Sequence, residues 1–280
     1  MPVDQPILEI RDLSVRFGRA KIPAVNGVSL TVGAERVGIV GESGSGKSTL
    51  GRAVMRLLPP AARIEAAAMD FEGASLLTRS EKAMRGLRGN RMALIMQDPR
   101  YSLNPVLTVG KQVAEAATLH QKISRKQATA LAADMLGRVR IADVERTMAL
   151  YPHQISGGMG QRVMIAMMLL SKPRLVIADE PTSALDVSVR GDVLRLLDEL
   201  VRENASALLL ISHDIRMVAS FCERVLVMYQ GRVVETLTRL DEAKHPYTRG
   251  LIAAMPDPKH PVSRLPVLDR RAINEAGAAP

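Results

Sequence analysis

One glycine-rich stretch constrains the fold of this chain more than any other: Gly41-Glu42-Ser43-Gly44-Ser45-Gly46-Lys47-Ser48-Thr49. The apolar residues 37–40 before it predict a short buried strand, and residues 50–58 after it predict a helix. A glycine-rich turn between a strand and a helix is the setting in which G-x-x-x-x-G-K-[ST] binds phosphate. The glycines let successive backbone N–H groups converge on one point, and the helix N-terminus adds partial positive charge there. The sequence therefore predicts a loop that binds the phosphates of a nucleoside triphosphate.

Two side chains of this loop carry specific expectations. We expect Lys47 to reach the β- and γ-phosphates and the hydroxyl of Ser48 to ligate Mg²⁺. The alternative is a Gly/Ser-rich turn with an unrelated Lys. The full motif between a strand and a helix favours the phosphate loop.

An acidic pair follows a second buried strand. Residues 175–178 are apolar and largely β-branched, and Asp179-Glu180 comes directly after them. Two carboxylates at the end of a buried strand are costly unless a cation lies opposite them. We expect Asp179 to hold Mg²⁺ and Glu180 to polarise the water that attacks the γ-phosphate. The alternative, an exposed acidic turn, fits poorly with the four apolar residues before the pair.

Three further residues occupy positions of interest. Gln97 follows the predicted strand 92–96 and would point into the crevice where α/β sheets bind ligands, next to Mg²⁺ or the attacking water. Taken alone, such a Gln is usually a simple turn residue. His213 follows the predicted strand 207–211 and can position the γ-phosphate or the water. Phe17 is either an aromatic face for a purine ring or a core residue of an early strand, and the pattern leaves both open.

The rest of the pattern alternates strands with helices. Residues 7–17 and 25–32 predict early strands, and residues 225–234 predict a closing hairpin. Helices are predicted over residues 109–137, 144–150, 163–170 and 194–201. Ser156, Gly157 and Gly158 precede the third of these helices and indicate a second anion-binding N-terminus. Residues beyond about 256 predict an irregular tail.

Composition limits the partners and the compartment. The formal charge is +9, but Lys and Arg are scattered without interleaved aromatics, so we expect a solvated basic surface and no nucleic-acid partner. The single Cys222 excludes an intramolecular disulfide and a four-Cys metal site, and it suits a small buried side chain. Residues Met1 to Gln5 include an acid and no apolar core, so we expect no signal peptide there. The longest apolar run, residues 163–170, is far below the roughly 18 residues that span a bilayer. These features predict a cytosolic chain that reaches a membrane only through a partner.

In combination, these motifs resemble the nucleotide-binding subunit of an ABC transporter from about residue 8 to 258. The resemblance implies an α/β fold: a P-loop NTPase ABC-ATPase core with an N-terminal antiparallel β subdomain and an inserted α-helical subdomain. It implies ATP and Mg²⁺ as the bound groups. It also gives each motif a role: Phe17 is the adenine-stacking aromatic, Gln97 the Q-loop, Ile155 to Gln161 the signature, Ser183-Ala184-Leu185-Asp186 the D-loop and His213 the switch histidine. The family forms head-to-tail dimers, so Ser156, Gly157 and Gly158 would bind the γ-phosphate of ATP held by the partner subunit.

The finer resemblance is to the dipeptide, oligopeptide and nickel importers. The residues that carry it are Gln97-Asp98-Pro99, Ser102-Leu103-Asn104-Pro105, Ile155 to Met159, Ile177 to Thr182 and His245-Pro246-Tyr247-Thr248. Such importers combine two non-identical ATPases, of which this chain resembles the D type, with two transmembrane permeases and an extracytoplasmic solute-binding protein. Gly160 is an unexpected residue within the signature, and the C-terminal cysteine cluster of many members is absent.

The resemblance also implies an arrangement along the chain. We expect an ABC ATPase domain over residues 1–258, with a helical insertion at about 103–165, and an irregular tail over 259–280. The insertion would dock a permease segment near Gln97 to Leu107, at the cytoplasmic face of the inner (plasma) membrane. The alternative function is a soluble, non-transport ABC ATPase that acts on ribosomes or DNA, for which the basic charge is the only support. A kinase is a more distant alternative, because it would need an acceptor site in place of the signature.

Overall fold

The computed structural model describes residues 6–255, so the predicted tail over 259–280 lies outside the described residues. The chain divides into two compact units. Unit 1 combines residues up to Thr78 with those from Leu209 onward, and unit 2 runs from Arg79 to Leu208. The division of the domain that the sequence suggests, with an insertion at about 103–165, stays a prediction.

The strands in chain order are β1 (Leu8–Phe17), β2 (Val25–Val32), β3 (Arg36–Val40), β4 (Ala62–Glu65), β5 (Ala68–Phe71), β6 (Ala74–Ser75), β7 (Met92–Ile95), β8 (Leu175–Asp179), β9 (Ala207–Ser212), β10 (Arg224–Tyr229) and β11 (Arg232–Leu237). The helices are α1 (Lys47–Val54), α2 (Glu81–Leu87), α3 (Val109–Thr118), α4 (Arg125–Arg138), α5 (Val144–Ala149), α6 (Gly157–Leu169), α7 (Val187–Glu203), α8 (Ile215–Phe221) and α9 (Pro246–Ala253). Short 3-10 turns cover Pro99–Tyr101, Pro152–Gln154 and Leu240–Glu242.

Unit 1 contains an antiparallel sheet centred on β1. This strand pairs with β2, β4 and β5, and its register to β2 sets Leu8 opposite Val32. Leu8, Ile10, Leu13 and Val15 are buried while the polar residues between them are more exposed, which is the alternation expected of a strand with one face on the core. The predicted strands 7–17 and 25–32 are therefore confirmed.

A second sheet in unit 1 carries the phosphate loop. β3 pairs in parallel with β10, setting Gly38 opposite Val225, and β9 lies on the other side of β3. β10 and β11 form the predicted antiparallel hairpin. Its turn, Gln230-Gly231, has φ values of 46° and 81°, a turn conformation suited to the twist of paired strands.

Unit 2 contains the parallel pair β7 and β8 together with helices α2 to α7. The register sets Met92 opposite Leu175, and residues Leu175 to Ala178 are fully buried. The helical pattern predicted over residues 109–137 is interrupted. α3 ends at Thr118, and α4 begins only after Ser124, whose side chain and that of Gln127 form a reciprocal N-terminal cap.

Other boundaries also differ from the sequence-based expectation. The helix after the phosphate loop begins at Lys47 and ends at Val54, whereas the pattern predicted residues 50–58. Arg56 adopts φ 50°, in the left-handed region that terminates helices. The signature helix α6 begins at Gly157, well before residue 163. Short helices α2, α8 and α9 were not predicted, because seven or eight residues give little periodicity.

Candidate functional site

The phosphate loop joins the end of β3 to the start of α1, and glycine is required at two of its positions. A Cβ at Gly41 would lie 2.2 Å from the carbonyl oxygen of Met228, and a Cβ at Gly46 would lie 2.3 Å from that of Ala24. Both glycines also have positive φ, 154° and 100°. Only a residue without a side chain fits there. Backbone carbonyl groups of two other segments therefore pack closely against the loop, one at each of these glycines.

Lys47 lies over the loop. Its side chain is buried, and Nζ donates hydrogen bonds to the carbonyl oxygens of Gly41 and Glu42, each at 2.8 Å. The Oγ of Ser45 lies 3.4 Å from the same ammonium. No side chain caps α1, whose N-cap is Gly46. The N-terminal turn of α1 and the Lys47 ammonium together form a positively charged concavity suited to a polyphosphate.

The C-terminal part of unit 1 holds the loop from outside. The N–H of Gly231 donates to the carbonyl oxygen of Ser45 at 3.0 Å. The N–H of Glu42 donates to the phenolic oxygen of Tyr247 at 2.8 Å. Tyr247 is fully buried on α9, and its ring centroid is 4.4 Å from that of Tyr229. These contacts fix the outer side of the loop.

Two predicted site residues of unit 1 lie outside this cluster of contacts. Phe17 ends β1 and is half-buried, so it is not among the fully buried core residues. His213 follows the last residue of β9 and is exposed. Both side chains are therefore accessible from solvent.

In unit 2, the acidic pair lies at the carboxyl end of β8. Asp179 is the last residue of the strand and is only 7% exposed, whereas Glu180 is half-buried. Glu180 adopts φ 50°, and its carbonyl oxygen accepts hydrogen bonds from the N–H and the hydroxyl of Ser183, at 3.2 and 3.1 Å. A left-handed conformation at a residue with a side chain costs free energy, and such strain concentrates at functional sites.

Gln97 lies two residues after β7 and is exposed. The next residue, Asp98, accepts a hydrogen bond from the N–H of Arg100 and pairs with its guanidinium at 2.8 Å. The side-chain hydrogen bond from the Arg100 guanidinium lowers the pKa of the Asp98 carboxyl. Pro99 then packs on α6, where a Cβ at Gly160 would lie 3.3 Å from the ring of Pro99. The unexpected Gly160 therefore allows the segment after Gln97 to lie against the signature helix.

The signature begins α6 at the surface of unit 2. The hydroxyl of Ser156 accepts from the N–H of Met159 at 3.3 Å, and both Ser156 and Gly157 are exposed. A Cβ at Gly158 would lie 3.3 Å from Val189 on α7. Asp186, the N-cap of α7, is exposed on the neighbouring loop. The sequence motifs at 156–158 and 183–186 thus meet in one region.

A hollow of about 770 Å³ lies in this region. Its lining includes the signature residues, Leu185, Asp186 and three arginines, namely Arg140, Arg146 and Arg162. The Arg162 guanidinium donates to the carbonyl oxygen of Arg140 at 3.1 Å, and Arg140 pairs with Glu199 at 2.6 Å. The hollow is open, and its charged lining combines these three arginines with Asp143 and Asp186.

The described residues, 6–255, bear on metal binding and on membrane crossing. Within those residues, no group of three or more His, Cys, Asp or Glu side chains is arranged to hold a metal ion. Among the helices of the same range, none combines the length and the apolar character needed to cross a membrane.

Each unit therefore holds part of the predicted set. Unit 1 carries Phe17, the phosphate loop from Gly41 to Thr49, and His213. Unit 2 carries Gln97, the signature, Asp179 with Glu180, and Asp186. No role for Tyr247 can be predicted from the sequence, because nothing in the local pattern indicates which distant backbone group its hydroxyl contacts.

A strand, a glycine-rich phosphate loop and a helix in one unit, with a signature helix and an acidic strand end in the other, define an ATP-binding cassette. The family model described as "ABC transporter" matches residues 25–183. The chain belongs to the ABC transporter family, and it is an ATP-binding ATPase of that family.

The curated relatives are similar over most of the chain. A probable peptide ABC transporter ATP-binding protein, y4tR of Sinorhizobium fredii, is 47% identical over 93% of this chain and 80% of its own length. The dipeptide transport ATP-binding protein DppD of Haemophilus influenzae is 45% identical over 92% of this chain and 80% of its own length. The oligopeptide transport ATP-binding protein OppD of Bacillus subtilis is 43% identical over 89% and 72%.

Solved structures agree on the fold. The ATP-binding cassette MJ0796, solved as a dimer in a post-hydrolysis state with ADP and Pi, has a TM-score of 0.73 at 27% identity, covering 82% of this chain and 98% of that one. CbiO1 of Clostridium perfringens, part of the ABC transporter complex cbiONQ, has a TM-score of 0.72 at 26% identity, covering 84% and 89%. The expected fold class is confirmed.

Proposed function

We propose that this chain is the ATP-hydrolysing subunit of an importer for peptides or similar small solutes, a range that includes nickel and other metal chelates. The observation that carries the proposal is the set of relatives at 43–47% identity, which are named for peptide, dipeptide and oligopeptide transport. Peptides are the part of the solute range that these names support. The rival function, a soluble ATPase acting on ribosomes or DNA, draws no support from them.

ATP binding is assigned to the phosphate loop. The backbone N–H groups of the loop after Glu42 and the N-terminus of α1 face the phosphates, and the Lys47 ammonium exchanges a carbonyl partner for a β- or γ-oxygen. Lys47 already lies over the loop in this structure, bonded to the carbonyl oxygens of Gly41 and Glu42, so its charge needs little displacement. Phe17, half-buried and accessible, is assigned to the adenine face.

The proposed donors for Mg²⁺ are the hydroxyl of Ser48, the amide oxygen of Gln97 and the carboxylate of Asp179. All three are hard oxygen donors, and one carboxylate with phosphate oxygens is the common ligand set for Mg²⁺ in nucleotide sites. Asp179 lies at the carboxyl end of β8, the position where α/β sheets bind their ligands. When bound, Mg²⁺ neutralises charge on the β- and γ-phosphates.

Hydrolysis is assigned to two residues that follow strand ends. Glu180 accepts a proton from the attacking water, and His213 orients the γ-phosphate and that water. The left-handed backbone of Glu180, held by Ser183, directs its side chain away from the regular strand path. A strained and half-buried carboxylate is suited to general-base chemistry.

The signature is assigned to ATP held by another subunit. Ser156, Gly157 and Gly158 border the open hollow together with Asp186 and the guanidinium-bearing Arg146 and Arg162. A helix N-terminus with a Ser and paired glycines presents N–H groups to an anion. The proposed partner is a second, non-identical ABC ATPase in head-to-tail arrangement, with no nucleic acid involved.

The complex further includes two transmembrane permeases and an extracytoplasmic solute-binding protein. This chain is peripheral, at the cytoplasmic face of the inner (plasma) membrane. The segment from Gln97 to Leu107 is the proposed docking region for a permease. In support, it packs on the signature helix through Pro99 and Gly160, so a displacement there is transmitted to α6.

The test is a pull-down of the tagged Glu180→Gln chain from detergent-solubilised native membranes in ATP and Mg²⁺, with mass spectrometry. Glu180→Gln keeps ATP bound by removing the base, so the assembly persists. We expect two multi-span permeases and a second ATPase. The same complex assembled with the unmodified chain and placed in vesicles should take up a labelled dipeptide when ATP is supplied. Lys47→Ala, which removes the phosphate contact, is the matched control.

Three results would contradict the proposal. Recovery of ribosomal or DNA-associated proteins without membrane partners would overturn the importer and leave the ATPase standing. A homodimer of this chain on the permeases would overturn the non-identical partner. Uptake of a metal chelate but no peptide by the vesicles would replace the peptide assignment.

A further inference from the structure

The backbone of Glu42 is held on both its polar groups. Its carbonyl oxygen accepts from the Lys47 ammonium at 2.8 Å and from the N–H of Ser45 at 3.2 Å. Its N–H donates to the phenolic oxygen of Tyr247 at 2.8 Å. With the N–H and the carbonyl both engaged, the peptide planes at the start of the phosphate loop have fixed orientations.

Tyr247 is itself firmly held. Its side chain is fully buried, and its ring stacks at a tilt of 38° on Tyr229, the last residue of β10. Its own N–H donates to Nδ1 of His245, the N-cap of α9. The Glu235 carboxylate on β11 accepts from the N–H groups of Lys244, at 2.7 Å, and His245, at 3.2 Å. These contacts hold Tyr247 in place, with its phenolic oxygen within hydrogen-bond distance of the loop.

The direction of the hydrogen bond between Glu42 and Tyr247 affects how the loop can bind phosphate. Backbone N–H groups of the loop are the ligands of the phosphate oxygens, so a loop that turns one peptide plane changes which donors face inward. Tyr247 occupies the N–H of Glu42 from outside and so fixes the plane that precedes the inward-facing donors. A phenylalanine would keep the ring and leave that N–H without the phenolic acceptor.

We propose that Tyr247 is a positioning residue for the phosphate loop, whose phenolic oxygen keeps the loop in the shape that accepts ATP before the nucleotide binds. The proposal rests on the role of the loop in ATP binding given above. It makes α9 part of the nucleotide-binding apparatus. By linkage, ATP bound at the loop also stabilises α9.

The test compares Tyr247→Phe with Tyr229→Phe in the full-length chain. Both remove one hydroxyl from the same ring pair, but that of Tyr229 accepts from the exposed side-chain amide of Gln230 at 3.1 Å. We expect Tyr247→Phe to raise the Kd for ATP about tenfold by calorimetry, since a hydrogen bond that forms the binding shape is lost. Tyr229→Phe should leave the Kd unchanged.

Measuring KM and kcat separately distinguishes a positioning role of Tyr247 from a general contribution to stability. In the assembled ATPase, Tyr247→Phe should raise KM for ATP about tenfold and change kcat less than twofold, because saturating ATP restores the loop. A lower melting temperature with an unchanged Kd and KM would overturn the proposal and leave Tyr247 as a packing residue.

Hydrogen exchange on the unmodified chain provides a second test that does not depend on how the variant folds. Without nucleotide, the amide of Glu42 should exchange slowly, and ATP should slow exchange throughout α9. Fast exchange at Glu42, or no effect of ATP on α9, would contradict the proposal. Lys47→Ala distinguishes a failure of the phosphate-loop assignment from a failure of the Tyr247 proposal. If Lys47→Ala retains ATP binding, the phosphate-loop assignment itself is wrong. If Lys47→Ala loses ATP binding while Tyr247→Phe binds ATP with unchanged affinity, only the Tyr247 proposal is wrong.

Discussion

The phosphate loop of unit 1 and the signature of unit 2 are both helix N-termini for which we propose phosphate binding, yet they are built in opposite ways. The phosphate loop has backbone against Gly41 and Gly46, an internal lysine, and contacts from the β10–β11 turn and from α9. The signature has an exposed Ser156 and Gly157 beside an open hollow. The phosphate loop is therefore shaped within its own unit, whereas the signature is, in the proposal above, half of a site that a partner subunit completes.

The largest effect is expected from a change to the proposed catalytic base, which lies outside both the phosphate loop and the signature. Glu180→Gln removes the proposed base and leaves the phosphate loop intact, so turnover of the assembly should fall about 10²–10⁴-fold while ATP binding persists. Phosphate release and equilibrium ATP binding measure the two quantities. Substantial residual hydrolysis would show that another group accepts the proton.

The second prediction tests whether the phosphate loop is shaped within its unit. Gly46→Ala forces a Cβ to within 2.3 Å of the Ala24 carbonyl at φ 100°, so the isolated chain should bind ATP about 10–100-fold more weakly. Gly33→Ala is the matched control, because its Cβ would meet nothing within 4 Å. Equal affinities for the two variants would mean that the loop is not preshaped.

The third prediction tests the half-site. Ser156→Ala removes the hydroxyl at the start of α6, so turnover of the assembled complex should fall about tenfold while the isolated chain keeps its affinity for ATP. Ser124→Ala removes an equivalent N-cap from α4 and should leave turnover unchanged. Weaker ATP binding by the isolated Ser156→Ala chain would contradict the division between the two regions.

The smallest expected effect concerns an ion pair between Glu35 and Arg224, in the same unit as the phosphate loop. The Arg224 guanidinium pairs with Glu35 at 2.8 Å, and this hydrogen bond lowers the pKa of Glu35 from its ordinary 4.5. A lowered pKa in the folded state contributes stability above pH 4.5, which is lost as the pH falls through the folded-state pKa. Glu35→Gln should therefore cost about 1 kcal/mol at neutral pH and little in acid, measured by urea unfolding.

Asp192→Asn, which removes the exposed partner of Arg195, is the control for a surface ion pair. It should change the free energy of unfolding by less than about 0.5 kcal/mol at either pH. An equal loss for Glu35→Gln at neutral and acidic pH would show that the Glu35 carboxylate acts through packing and not through its charge.

The sequence predicted the parts of this fold that depend on neighbouring residues. The strand, turn and helix around Lys47 can be identified because glycine spacing and apolar runs are local, and the same holds for Asp179 at the end of β8. The bounds of α1 were wrong because its end depends on the left-handed Arg56, for which an arginine gives no signal. Helix α9 was not expected, because its eight residues give little periodicity and its start is held by bonds from Lys244 and His245 to the distant Glu235 of β11.

The candidate site was predictable to the same extent. The sequence named the loop, the acidic pair and the signature, but it did not say what shapes them. Gly46 needs its small size because of Ala24, and Glu42 bonds to Tyr247, and both partners lie at sequence distances that a local pattern does not span. The packing of Gly160 on Pro99 likewise explains a residue that the motif alone left unaccounted for.

The bond from Glu42 to Tyr247 joins positions 205 residues apart, and it has a consequence for biosynthesis. Chains emerge from the ribosome N-terminus first, so the glycine-rich segment is made early and its outer support is made late. A nascent chain that ends at β10 lacks Gly231 and Tyr247, so neither of these two hydrogen bonds to its loop can form. The ability to retain ATP should therefore be acquired only after residue 247 has left the exit tunnel.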